Sequence, residues 1–398
     1  MIEIDGSYGE GGGQIVRTAL SLSCLFQRPF RIFNIRKNRR KPGLMPQHLT
    51  CVKAAQSITG AAVKGDYPGS VELIFSPGRV RTGTFSFDIG TAGSTSLVLQ
   101  TLIPALAFSG QMTRVNLTGG THVPFSPSFH YLSEVFLRFL EQIGIRIRLS
   151  ILSYGFYPRG GGKIQADIFP TQKITPLRIN GRGNVLGFNG HSGVGNLPLV
   201  IAERQRSALL KKLLREAETF KTAPEIELLE VPTPGKGTFI DFAANCEHSI
   251  AGFTGLGEIG KKAEAVGEEA AAEFIRYYRT GAALDSHMAD QIVLYLALCD
   301  EDSFFSSSAI TNHLITNLWA IGLFHDIRCS LEGGVGEKGK VRLKGSDAGT
   351  ALKRTNRKKG EIYERRQNIS GKLQPRSTGT HNTHRQNGRD KRQAAGTG

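Results

Sequence analysis

The residues best equipped for chemistry fall in four short stretches. The first is Gly6-Ser7-Tyr8-Gly9-Glu10-Gly11-Gly12-Gly13-Gln14-Ile15-Val16-Arg17. Glycines let a backbone approach a ligand closely, and free N–H groups at a helix start attract anions. Arg17 adds a positive charge one turn into that helix. Glu10 inside an anion site makes sense only beside a metal ion or a cationic group. No Gly-Lys-Ser/Thr closes the stretch and the G-x-G-x-x-G register is missing, so it is neither a phosphate-binding P-loop nor a dinucleotide fingerprint. By itself it is a ligand site or a tight turn.

The second stretch is Arg36-Lys37-Asn38-Arg39-Arg40-Lys41-Pro42-Gly43-Leu44. Its clustered cations repel one another unless an anion joins them, and the planar guanidinium fork suits phosphate. The alternative is a solvated loop. Gln47-His48, just beyond, can bond a sugar or phosphate or simply start a helix. The third set is Gln100 and Asp290, polar side chains within apolar helical runs that either line a site or face solvent. The fourth is Thr311-Asn312-His313-Leu314-Ile315-Thr316-Asn317. His313 can serve as nucleophile or proton carrier near neutral pH, or only as a hydrogen bond at a helix start. No Ser/His/Asp spacing, HExxH or metal-ligand cluster is evident.

Periodicity places these stretches on a repeated unit. A strand at 3–5, a helix over 14–26, a strand at 30–35, a helix over 46–58 and strands at 61–64 and 71–75 give β-α-β-α-β-β. The order returns with a strand at 85–89, a glycine turn at 90–94, helices over 95–108 and 128–143, and strands at 114–117, 145–152 and 163–168. A weaker third copy spans 284–344, its first strand unassigned. Residues 181–280 break the period with helices over 201–218 and 261–278 and strands at 225–230 and 239–245; they read as scaffold. The fold class is therefore α/β (α+β): three βαβαββ repeats in a pseudo-threefold large domain, with a smaller inserted αβ domain. The expected domains are 1–180 (repeats one and two), 181–280 (insert), 281–344 (repeat three) and 345–398 (a disordered basic tail).

Composition narrows the setting. The chain of 398 residues carries a formal charge of +16, with 13 Lys/Arg against 4 Asp/Glu after residue 344. A basic body suggests an anionic partner such as nucleic acid or nucleotide. The tail is too poor in apolar residues to offset its ordering entropy. Five scattered cysteines without a C-x-x-C argue for reduced thiols and against a zinc site. There is no run of 18 apolar residues and no charged n-region before an apolar h-region. The expected location is cytoplasmic, or nuclear in a eukaryote, with no membrane partner.

Taken together, Gly9-Glu10-Gly11-Gly12-Gly13-Gln14-Ile15-Val16-Arg17, the 36–44 segment, Gln47-His48-Leu49 and Gly155-Phe156-Tyr157-Pro158-Arg159-Gly160-Gly161-Gly162 resemble the RNA 3′-terminal phosphate cyclase family over 1–344. The resemblance implies three βαβαββ units plus the insert. His313-Leu314-Ile315-Thr316-Asn317 matches the context of the family's nucleophilic histidine. It implies that His313 is adenylylated by ATP, that AMP passes to an RNA 3′-phosphate, and that the 2′-OH closes a 2′,3′-cyclic phosphate. Glu10 matches a metal-proximal glutamate for Mg or Mn. Arg17, Arg36, Arg39 and Gln47 match positions around nucleotide and RNA phosphates. Gln100, Pro127 and Asp290 match the nucleotide pocket. Two departures bear on nucleotide choice. His287 stands where the family has a tyrosine near the adenine, and Tyr154 where it has Arg or His. The alternatives are a non-catalytic cyclase-like protein of ribosome biogenesis, which lacks the histidine, and an enolpyruvyl transferase, which has six repeats and no comparable insert.

Overall fold

The computed structural model describes residues 1–216 and 224–346. From 347 onward the expected basic tail lies outside the described residues. Helix Gly13–Phe26 forms because Ile15, Val16, Ala19, Leu20 and Leu22 recur on a face that is buried. Its N-cap is Gly12, and among the described residues no side chain caps its first N–H groups. Three later helices start on a hydroxyl or carboxylate cap: Thr95–Ala107 on Ser94, Ser286–Leu296 on Asp285 and Asn312–Phe324 on Thr311. Each such cap stabilises its helix by about 1 kcal/mol.

The architecture is mixed α/β. Strands Ile2–Asp5, Phe30–Phe33, Ala62–Lys64 and Leu73–Ser76 pair in the order first, second, fourth, third. Thr84–Asp88, Thr113–Gly119, Ile147–Ser153 and Gly162–Ile168 repeat that order, as do Arg178–Ile179, Ser303–Ser307, Cys329–Glu332 and Gly339–Leu343. In each sheet the first two strands are parallel and the others antiparallel. The strand that the periodicity left unassigned is thus Arg178–Ile179. Two residues cannot show a period, and this strand lies within the 1–180 span expected to hold only repeats one and two. The insert therefore interrupts the third unit after its first strand.

The inserted sheet pairs Glu225–Glu230, Val185–Gly195, Gly237–Cys246 and Ile250–Leu256 in that spatial order. Helices Val200–Glu216 and Ala263–Thr280 pack on it. It has a core of its own around Phe242, Phe253 and Phe274. The main core runs continuously through the other three sheets and their helices, with Phe30, Phe75, Phe136, Phe305 and Phe324 among its largest members. Truncating any of these to Ala costs about 3–5 kcal/mol.

Two features position the site. Helix Gly13–Phe26 packs against Pro46–Thr59, Thr95–Ala107 and Asn312–Phe324, so helices from all three units meet around it. The helix expected over 128–143 is not uniform: Phe129–Tyr131 and Leu137–Gln142 flank a π-helical turn, Leu132–Phe136. Such wide turns re-aim side chains along a helix.

Candidate active site

His313 is the second residue of its helix. Thr311 takes the Leu314 N–H at 2.9 Å, which fixes the helix start and the direction of the next side chain. The His313 Nδ1 bonds Gln14 Oε1, and Glu10 Oε2 lies 3.6 Å from the same nitrogen. Two oxygen acceptors face Nδ1, so we assign the ring proton there, which leaves a lone pair on Nε2. Burial, with Arg17, His287 and Arg39 nearby, lowers the His313 pKa below its ordinary value. The ring is neutral at neutral pH, as a nitrogen nucleophile must be.

The contacts that hold this geometry explain the glycines. A Cβ on Gly13 would stand 2.0 Å from His48 Nε2, and one on Gly9 would meet Thr316 Oγ1 at 2.3 Å. Thr316 Oγ1 in turn accepts the Glu10 N–H at 3.3 Å. Thr18 Oγ1 donates to Asn317 Oδ1 at 2.7 Å, and Asn317 Nδ2 donates to the Asp290 carbonyl at 2.6 Å. The first unit and the third are thereby tied together side by side.

Beside His313 opens a cavity of about 460 Å³. Arg17, Gln100, Pro127, His287, Asp290 and His313 all line it. The Arg17 guanidinium makes no hydrogen bond or ion pair among the described residues, while its carbonyl accepts the Ser21 hydroxyl at 3.0 Å. Burial raises the Asp290 pKa to about 7, against the pull of His287 and Arg17. The hydrogen bond to Glu273 raises His287 to about 9. The cavity thus carries cations at Arg17 and His287 and a carboxyl that titrates near neutrality.

Other expected residues sit elsewhere. Arg39 is ion-paired with Glu10, which places both beside His313. Arg36 donates to the carbonyls of Lys41 and Gly43 at 2.7 and 2.9 Å, which holds its own loop closed. Gln47 Oε1 accepts the Ser94 N–H at 2.9 Å, linking the first unit to the second glycine turn. His48 is buried, accepts the Met45 N–H at 3.1 Å, and is pushed down to about 3, so it is a neutral cap. Neither Arg36 nor Gln47 lines the cavity.

Gln14, Thr18 and Asn317 are not among the expected site residues, and the insert is expected to be scaffold. Gln14, Arg17, Thr18 and Ser21 form a polar stripe on one helix face and all line the cavity; that spacing was legible. The insert contributes Gly252, Thr254, Leu256 and Glu273 to the cavity wall. These are ordinary residues whose role depends on where their sheet docks, so nothing in the sequence marked them. Segment 155–162 lies outside the lining. A Cβ on Gly155 would stand 2.2 Å from the Gly119 carbonyl, and the Phe156 ring would lie 2.0 Å from one on Gly237. This segment packs the second sheet against the insert.

Comparison with known proteins identifies the family. The family described as RNA 3′-terminal phosphate cyclase matches residues 8–331. A protein named RNA 3′-terminal phosphate cyclase from Sulfolobus acidocaldarius is 47% identical over 336 residues, covering 84% of this chain and 97% of its own. One of the same name from Methylococcus capsulatus is 43% identical over 357 residues, covering 88% and 98%. Among solved structures, the enolpyruvyl transferase NikO from Streptomyces tendae matches with a TM-score of 0.24 at 17% identity, covering 42% of this chain and 33% of its own, too little to carry an argument. With its histidine, glycine turn and cavity in place, the chain belongs to the RNA 3′-terminal phosphate cyclase family.

Proposed function

We propose that this protein is an enzyme that uses ATP to convert an RNA 3′-terminal phosphate into a 2′,3′-cyclic phosphate. The observation that carries the proposal is His313, with Nδ1 held by Gln14 beside Glu10 and Nε2 left as a base at the edge of a cavity lined by Arg17. In the first step Nε2 attacks the α-phosphorus of ATP. An N–P bond forms, the bond to the bridging oxygen breaks, and diphosphate leaves. The ring becomes cationic, and the Glu10 carboxylate and Gln14 amide oxygen at Nδ1 stabilise that charge. Next an oxygen of the RNA 3′-phosphate attacks the same phosphorus and Nε2 departs, leaving an RNA 3′-adenylate. Finally the adjacent 2′-OH attacks the RNA phosphorus, AMP leaves, and the hydroxyl proton passes to solvent. A phosphate monoester has no good leaving group; AMP supplies one.

Gln100, Pro127, His287 and Asp290 would border the nucleotide, and Arg17 and Arg39 its phosphates or those of RNA. Arg36 and Gln47 act from behind, by fixing the loops that carry these groups. A divalent cation such as Mg or Mn fits at Glu10, because Mg is commonly held by one or two carboxylates together with nucleotide phosphates. Glu10 offers that carboxylate once Arg39 releases it, and the cation would spread the triphosphate charge. No helix among the described residues is long and apolar enough to cross a membrane, which fits the cytoplasmic location we propose. Incubation with α-labelled ATP followed by denaturation tests the reading: label should stay on the protein and be absent from His313→Ala. A wild-type chain that takes no label favours the non-catalytic ribosome-biogenesis reading.

A further inference from the structure

A second cluster of chemically able side chains lies behind the cavity wall. His130 and Glu134 are one turn apart and bracket the start of the π-helical turn, and His191 comes from the inserted strand Val185–Gly195. One ligand atom from each lies within 4.8 Å of the other two. The His130 Nδ1 is 3.3 Å from Glu134 Oε1, and the His191 Nδ1 is 3.4 Å from that same oxygen. Charge-assisted hydrogen bonds run shorter, about 2.7–2.9 Å. By contrast, tetrahedral ligands at zinc bond lengths of about 2.0–2.1 Å stand about 3.3–3.4 Å apart. Among the described residues the buried His191 Nδ1 has no hydrogen-bond partner, the state expected of a ring nitrogen kept for a metal.

On His130 and Glu134 the atoms facing away from this centre are held as metal ligands usually are. His130 Nε2 lies 3.2 Å from the Tyr154 hydroxyl. Asn189 Nδ2 donates to Glu134 Oε2 at 3.2 Å, and Asn245 fixes Asn189 through a 2.7 Å bond. Glu227 lies 3.9 Å from His191 Nε2. The His130 and His191 rings stack at 4.4 Å, which aligns them on the shared oxygen.

We propose that His130, Glu134 and His191 bind one zinc-class divalent ion, with a fourth position left for water. Two imidazoles and a carboxylate suit zinc over magnesium or calcium, which prefer oxygen ligands. The ion joins the inserted sheet to the helix that follows Ser128, and both flank the cavity: Ser128, Gly252 and Thr254 line it. It therefore fixes the wall that the insert contributes. The cysteine pattern gave no hint of this site because its ligands are histidine and glutamate from two units.

The test uses untagged full-length protein stripped with a chelator, loaded with zinc chloride or cobalt chloride and dialysed. One zinc per chain should remain, cobalt should give the intense visible bands of a four-coordinate ion, and zinc at about 100-fold over Kd should raise the unfolding midpoint by roughly 3–6 °C. His191→Ala should lose the stoichiometric metal. Glu134→Gln, which keeps the shape and the Asn189 contact, guards against a folding defect and should weaken zinc binding at least about tenfold. His313→Ala should bind zinc as the wild type does. The proposal fails if wild type retains no zinc, if both cluster variants bind like wild type, if cobalt stays six-coordinate, or if only His313→Ala loses the ion.

Discussion

Residues 6–13 and 155–162 each bring the backbone close to a neighbour, but the neighbours differ. At Gly9 and Gly13 the neighbours are the side chains of Thr316 and His48; at Gly155 it is the Gly119 carbonyl. The first approach sets Glu10 and Gln14 against His313. The second closes the second unit on itself, beside the Phe156 ring that packs on Gly237 of the insert. Glycine richness therefore reports close approach alone. Whether chemistry follows depends on what approaches, a titratable side chain or another stretch of backbone.

The largest effect expected of any substitution is at the first contact. Removing the proposed nucleophile in His313→Ala should cut protein–AMP formation by roughly 10³-fold or more, and His313→Asn should match it. RNA already carrying a 3′-adenylate should still cyclise in both, since that step needs no attack on ATP. An adduct that survives on His313→Ala would assign the nucleophile elsewhere.

Alanines at the two glycine segments then separate their roles. Gly13→Ala forces a methyl against the buried His48 ring and should shift the Gln14–His313 pair, lowering the single-turnover rate of adduct formation in protein that is still folded. Gly155→Ala pushes against backbone, so it should lower the unfolding midpoint while adduct formation per folded molecule holds. Equal loss of that rate in both folded variants would break the comparison.

Asp290 gives a smaller effect with a defined pH window. Its folded pKa, near 7, lies above its ordinary value of 3.8. Below about pH 4 the carboxyl is neutral in folded and unfolded chains alike. As pH rises to about 7 only the unfolded chain gives up the proton, so stability falls across that window and stays lower above it. Asp290→Asn should remove this loss, on the order of a few kcal/mol. Its unfolding midpoint should therefore exceed that of wild type more at pH 8 than at pH 4, even as ATP binding weakens. An equal difference at both pH values would mean that Asp290 is not the titrating group.

The arginines sharpen the comparison last. Arg39→Ala should weaken binding of 3′-phosphorylated RNA more than of 3′-hydroxyl RNA, by about 1.5–3 kcal/mol if one charged hydrogen bond is lost. Arg36→Ala opens its own loop and should weaken both RNAs alike. Selectivity lost in Arg36→Ala but kept in Arg39→Ala would exchange their roles.

By itself the sequence determined what local chemistry can encode. The 3.6-residue period of Ile15, Ala19 and Leu22 and the family motif at His313 are near-neighbour signals, and a helix and the role proposed for His313 follow from them. The tertiary structure decided the rest. Strand Arg178–Ile179 is too short for a pattern, and its partner, Ser303–Ser307, lies beyond the insert. Gln47, which the resemblance sets near phosphates, also accepts the Ser94 N–H because two units meet there. Glu10 gained Arg39, Asp290 gained a raised pKa from burial, and His191 met Glu134, each across a long stretch of chain. Burial and charge pairing belong to the assembled volume, and a one-dimensional pattern carries neither.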